Sequence, residues 1–361
     1  LAVAAPPGCA PAEALKSSIT SLRFATKVPG YAIEFDLAPM AALKNLARLA
    51  IEGACRCVHA SALEHHPSLR SISWEHADTT ALPDFATLPK LTALRLSSAR
   101  GDVTSCVRAL WGLERLELRW VSTEPVLSFE RFAALRVLVL ERVPVCTLSA
   151  HGCGSLEELH CNSDVLESID ATGCGALTTL FAYCLCPLRE ITGFTSLVSL
   201  TTLSVRGGGV AWLPTSPAPA LDRLTTVSLE CYDARDATRV ACLPAVERLS
   251  LRNSVYLRDL SALASMKSLR ELDLRYSMAV ADLTPLAELP LTDVHVYYTG
   301  GAAAGRAAGA AGRRALALTA RRRVRARSTE QPVTRAVEPG ARVHVELDAR
   351  KERDAVLQHA T

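Results

Sequence analysis

The 361-residue chain is 49% hydrophobic but only 5% aromatic, so it can bury a sizeable core that must be built mainly from Leu, Val and Ala. No stretch reaches the roughly 18 uninterrupted apolar residues of a membrane-spanning helix, and Leu1–Ala5 ahead of Pro6 and Pro7 is too short for a signal-peptide core. The net charge of +3 conceals an asymmetry: from Gly300 onward thirteen Lys and Arg face six Asp and Glu, a net of +7, leaving residues 1–299 with 27 basic against 31 acidic, a net of −4.

The sequence opens on Leu1 rather than Met and is expected to begin inside a longer product. Residues 1–45 read as an N-terminal cap with an irregular first repeat at Ile19-Thr-Ser-Leu22-Arg-Phe24. From Leu46 the pattern apolar-x-x-apolar-x-apolar recurs at Leu69, Leu91, Leu113, Leu135, Leu156, Leu177, Leu200, Leu224, Val246, Leu269 and Leu291, every 21–24 residues. Chance yields one or two such hexads in a Leu-rich chain, not twelve in near-constant register. The Leu-x-Leu end of each hexad alternates as a strand does, sending its leucines to one face and the residues between them to the other. One such strand cannot bury its Leu face alone, so the copies are expected to stack in parallel.

A second apolar set follows each hexad, as at Leu82, Phe85 and Leu88, at Leu260, Leu263 and Met266, and at Leu283, Leu286 and Leu289. Repeats this short leave no room for a full outer helix, so 3₁₀ or extended segments are expected on the return path. Pro83, Pro89, Pro125, Pro214, Pro244, Pro285 and Pro290 fit such segments.

This pattern resembles the leucine-rich-repeat proteins over residues 46–299, about 70% of the chain. Gly152-Cys-Gly-Ser-Leu156-Glu-Glu-Leu159 recurs as Gly173-Cys-Gly-Ala-Leu177-Thr-Thr-Leu180, with Leu166-Glu-Ser-Ile169-Asp170 between them. These segments are similar to the short internalin-like and trypanosomatid-type repeats. The resemblance implies an α/β solenoid, a horseshoe with a parallel β-sheet on its concave face and short 3₁₀ or extended convex segments. The family's turn Asn, three residues after the last strand Leu, is missing: the place holds Ala77, Ala99, Val121, Val143, Asp164, Leu185, Ser254, Ser277 and Thr299, among others. These turns are expected to be satisfied in another way.

Residues 300–361 form an Ala/Gly/Arg-rich basic tail that contains only ten Leu, Val, Ile or Phe, a composition expected to be disordered. Val343-His-Val345-Glu-Leu347 is a possible short strand within it.

Chemistry-bearing motifs are sparse. The cysteine spacings Cys55-Arg-Cys57 and Cys184-Leu-Cys186 do not match paired C-x₂-C zinc sites, and many cysteines stand where the repeat buries a small residue. Core filling is the expectation, with neither metal nor cofactor, and unpaired thiols point to an intracellular location, cytoplasmic rather than nuclear. Gly207-Gly-Gly209 lacks the Lys of a phosphate loop and reads as a tight turn. No nucleophile elbow or catalytic triad can be placed, so the chain is not expected to be an enzyme.

Function is expected on the concave sheet face, where outward residues of successive repeats line up in rows. Val139, His160, Asn162, Phe181 and Tyr183 form its centre, with Arg119, Glu141 and Arg206 as a charged rim. A protein partner held there is the main reading, and no membrane partner is expected. One rival is a nucleic-acid-associated protein using Arg313, Arg314 and Arg321–Arg327 of the tail. Another is the substrate-recognition part of a longer enzyme such as a ubiquitin ligase.

Overall fold

The computed structural model describes residues 19–25, 33–53, 55–185, 188–207, 212–230, 235–296, 299 and 342–344. The chain divides into two compact units, one of residues 1–186 and 190–199, the other of residues 187–189 and 200–361.

In the first unit eight strands pair in parallel and in chain order: Ser21–Ala25, Arg48–Glu52, Ser71–Glu75, Ala93–Ser97, Arg115–Arg119, Val137–Glu141, Glu158–Asn162 and Thr179–Tyr183. The hexads set the register. Leu94, Leu116 and Leu138 stand opposite one another, as do Leu96, Leu118 and Leu140, and all six are buried. The second unit repeats the arrangement with Thr202–Arg206, Thr226–Glu230, Arg248–Ser250, Glu271–Asp273, Asp293–His295 and Arg342–His344. The last strand opens one residue before the Val343 start anticipated from sequence; Val345–Leu347 and the rest of the tail lie outside the described residues.

The return path is built from short elements, as the repeat length requires. Single 3₁₀ turns occur at Ala60–Leu63, Phe85–Thr87, Val240–Cys242, Ser261–Ser265 and Thr284–Leu286, and one helical turn at Thr104–Val107. Phe85, Leu88, Leu260, Leu263, Met266, Leu286 and Leu289 close the core from this side, while Leu82 and Leu283 are only half-buried. Between them the first unit substitutes a second parallel sheet: Val126–Ser128, Thr147–Ser149, Ser168–Asp170 and Glu190–Thr192. Both 21-residue repeats, those opening at Leu135 and Leu156, fall in this stretch. An extended residue advances about 3.3 Å against about 2.0 Å in a 3₁₀ helix, so a strand spans the path with fewer residues.

A recurrent Asp two residues before Ser or Thr marks the outer segments. The Oδ1 atoms of Asp78, Asp102, Asp170, Asp236, Asp259 and Asp282 accept the backbone N–H of Thr80, Thr104, Thr172, Thr238, Ser261 and Thr284 at 2.8–3.0 Å. Each carboxylate satisfies a donor that the short turn leaves without a backbone acceptor.

The missing turn Asn is replaced by backbone geometry. His76, Ser98, Trp120 and Arg142, each the residue after its strand, adopt the left-handed conformation at φ 51–55°. Their N–H groups donate to the carbonyls of Ser97, Arg119, Glu141 and Asn162 in the next repeat at 2.8 Å. Non-glycine residues adopt this conformation at about 1–2 kcal/mol each. Here it extends the ladder by one rung and lets small or branched apolar residues, Ala77, Ala99, Val121 and Val143, turn inward and be buried. In the shorter repeat opening at Leu156 the inward residue comes one place early. Ser163, rather than Asp164, is fully buried and donates its hydroxyl to the Val145 carbonyl at 2.8 Å. Ser277 does the same toward the Leu251 carbonyl in the second unit.

Candidate partner-binding face

Alternation in Thr179–Tyr183 buries Leu180 and Ala182 completely and turns Phe181 outward, where it is 37% exposed. Parallel register places His160 beside Phe181 and Val139 beside His160. The His160 and Phe181 rings stack 5.8 Å apart at 25°. Asn162 stands between Glu141 and Tyr183 in the adjoining row, and its Oδ1 is buried without a hydrogen-bond partner among the described residues. Seven of the eight residues singled out from sequence thus occupy four consecutive strands of the first unit. Arg206 belongs to the second unit, on Thr202–Arg206.

The expected charged rim is closed on itself. Arg119 pairs with Glu141 on the next strand, and Arg206 pairs with Glu230 within the second unit. Such half-exposed pairs contribute at most about 1 kcal/mol to stability. Their larger consequence is to neutralise charges that would otherwise face a partner.

A denser cluster, not anticipated from the sequence, lies on the same face. Glu117 is 7% exposed and surrounded by Arg115 at 2.7 Å, Arg119 at 3.2 Å and Arg95 at 3.9 Å. Burial pushes its carboxyl up, but the Arg115 hydrogen bond and the charges of Arg115, Arg119 and Arg95 outweigh it and hold the group below the usual range. The signal was present in Arg115-Leu-Glu117-Leu-Arg119, an acid flanked on its own strand face by two arginines, with Arg95 on the preceding strand.

Several of the described cysteines fill the core, while Cys106, Cys146 and Cys242 are half-buried. Cys153, Cys161, Cys174 and Cys184 are buried, and Cys153 and Cys174 donate their thiols to the carbonyls of Phe129 and Ala150 at 3.1 and 3.2 Å. Burial raises the Cys161 and Cys174 thiols to about 12 and Cys153 to about 11. Cys186 lies outside the described residues. Gly207 adopts φ 95° and its N–H donates to the Glu230 carbonyl, which makes it a turn residue; Gly208 and Gly209 lie outside the described residues. Among the described residues no three His, Cys, Asp or Glu side chains gather as a metal set, and no helix is long and apolar enough to cross a membrane.

Parallel strands in hexad register, short 3₁₀ and extended return segments and a Leu-lined interior define a leucine-rich-repeat solenoid fold. Its repeats are short, 21–24 residues each. No protein-family model matches the sequence, and no curated protein does. Among solved structures, an internalin from Listeria monocytogenes is 16% identical with a TM-score of 0.43, the match covering 79% of this chain and 82% of that one. A leucine-rich-repeat protein of Leptospira interrogans is 16% identical with a TM-score of 0.47, covering 79% of this chain and 91% of that one. A chain from the Toll–Spatzle complex of Drosophila is 15% identical with a TM-score of 0.48, covering 73% of this chain and 45% of that one.

Proposed function

We propose that this chain is a non-enzymatic binding module that holds a protein partner on the outward sheet face of its first unit. One observation carries the reading: Phe181 is an outward aromatic, stacked on His160, on a strand whose burial is already supplied by Leu180 and Ala182. An aromatic the fold does not need, set beside Val139 and His160 and bordered by paired charges, has the composition of an interface centre with a polar rim. Thiols buried in the core, such as Cys153, Cys161 and Cys174, accord with an intracellular, cytoplasmic setting.

The test is a pull-down with the full chain, comparing wild type with Phe181→Ala/Tyr183→Ala. Truncating outward aromatics should change stability by about 0.5 kcal/mol or less each, while loss of an interface centre commonly costs about 2 kcal/mol or more of binding. The double variant is expected to melt with the wild type and lose the captured partner. Thr87→Ala, on the outer side, should keep the captured partner. Undiminished capture by a folded double variant would refute the proposal.

A further inference from the structure

Taken strand by strand, the outward face of the first unit separates its charges. Ala93–Ser97 and Arg115–Arg119 present Arg95, Arg115, Glu117 and Arg119, three guanidiniums to one carboxylate. The next strand presents Val137, Val139 and Glu141, and Glu141 is already taken by Arg119. Beyond it Glu158 is exposed, followed in the middle row by His160 and Phe181.

Of the three arginines, Arg95 is the least engaged. It approaches Glu117 only to 3.9 Å, its Nε has no hydrogen-bond partner among the described residues, and its side chain is 43% exposed. Glu117 and Glu141 offset two of the three arginines, so the one surplus positive charge sits at Arg95, with Arg115 beside it. From it the run Val137, Val139, His160 and Phe181 leads across the sheet, with Glu141 and Glu158 alongside.

We propose that the partner is a protein segment that sets a carboxylate on Arg95 and Arg115 and an aromatic or large apolar side chain against His160 and Phe181. This rests on the binding role argued above and specifies its chemistry. Four strand-to-strand steps of about 4.8 Å separate Arg95 from Phe181, about 19 Å in all. An extended segment covers that span in about six residues at 3.3 Å each. The acidic group must lie at the Arg95 end, because Glu158 repels a carboxylate placed at the other. A polynucleotide fits poorly: one phosphate would meet Arg95, but those following would cross Glu117, Glu141 and Glu158.

The experiment selects a displayed library of random 12-residue peptides against the full chain and ranks the enriched sequences by fluorescence anisotropy. The expected winners carry Asp or Glu about six residues from Trp, Phe, Tyr or Leu. Arg95→Gln should weaken them about tenfold and erase the preference for acid, and Phe181→Ala should erase the preference for the aromatic. Changing the acid of an enriched peptide to its amide should cost the same tenfold, which tests the contact without touching the fold. Peptides that lose binding with Phe181→Ala but ignore both Arg95→Gln and the amide change would overturn the carboxylate contact and leave the binding role standing. A pool indifferent to both substitutions, or no enrichment at all, would overturn both. Displacement of the peptides by a 20-nucleotide single-stranded DNA, with affinity collapsing between about 50 and 200 mM salt, would overturn the proposal in favour of a polyanion.

Discussion

Replacing Gly193 with Ala should be among the most damaging single-methyl additions in this chain. Gly193 sits at φ 90°, at the entry to the 3₁₀ turn Phe194–Ser196, a conformation that costs an L-residue about 1–2 kcal/mol. A Cβ there would lie 2.4 Å from the Thr172 nitrogen and 2.6 Å from both the Ala171 carbonyl carbon and the Thr172 Cα. These are backbone atoms of the preceding repeat and cannot rotate aside, so overpacking adds about 1–3 kcal/mol. The sum is about 2–5 kcal/mol. Two other glycines separate the contributions. Gly152 has φ 75° but open space around its would-be Cβ, so Gly152→Ala should cost only the conformational part, about 1–2 kcal/mol. Gly112 has neither a positive φ nor a neighbour within 4 Å, and Gly112→Ala should be neutral or stabilise by up to about 1 kcal/mol. Urea unfolding followed by circular dichroism gives the three differences. Hydrogen exchange over residues 168–196 shows whether the loss starts at the affected repeat, as nearest-neighbour coupling requires. If Gly193→Ala costs no more than Gly152→Ala, the close stacking of these two turns is wrong.

Leu116→Ala and Leu272→Ala each remove a fully buried strand leucine and should cost about 2–5 kcal/mol in the same assay; changes near zero would place these side chains outside the core. Acid should unfold the chain through its turn carboxylates. Hydrogen bonds from Thr80, Thr238 and Ser261 hold Asp78, Asp236 and Asp259 below the ordinary Asp value, so their contribution is complete above about pH 4 and is lost as pH falls through the lowered folded-state values. Burial also holds the His66 imidazole below its ordinary value, so a shallow loss of melting temperature below about pH 6.5 and a steeper one below about 4 are expected, and a curve without the steep acid limb would contradict it. Cys153, Cys161 and Cys174, raised to between about 11 and about 12, should resist iodoacetamide at pH 8 until the chain is denatured, with peptide mapping as the readout; rapid labelling of the folded protein at these sites would refute their burial.

Much of the fold was legible because its information is periodic. A residue such as Leu116 is fixed by its spacing from Leu94 and Leu138, and a wrong register would turn a whole row of leucines to solvent. The turns were less legible. The absence of Asn was plain, but its replacement by left-handed His76, Ser98, Trp120 and Arg142 carries no residue signature, since these four share no side-chain chemistry. The Asp-x-Ser/Thr entries were visible in the letters and gain meaning only from the N–H groups they meet. On the candidate face, alternation placed Phe181 and His160 outward correctly, because facing is a local property of a strand. It did not foresee that Arg119 would be consumed by Glu141, because that depends on side-chain reach between residues 22 apart in sequence.

That difference between facing and pairing bears on where specificity resides. Inward positions are over-determined: most are apolar, a polar one such as Ser163 or Ser277 gives its hydroxyl to a backbone carbonyl, and each contacts the repeats on either side. Outward positions carry no such demand, so a charge there is either neutralised by a neighbouring strand or left for something else to meet. Glu117 shows the first outcome, held ionised by the arginines around it despite its burial. Arg95 shows the second, since the carboxylate nearest to it is hydrogen-bonded by Arg115 and Arg119 instead. Substituting Glu117 should therefore act first on folding, by leaving three guanidiniums crowded around an uncharged centre. Substituting Arg95 should act first on binding. The two residues face the same way one strand apart, and it is the pairing around them, not their exposure alone, that assigns one to the scaffold and the other to the partner.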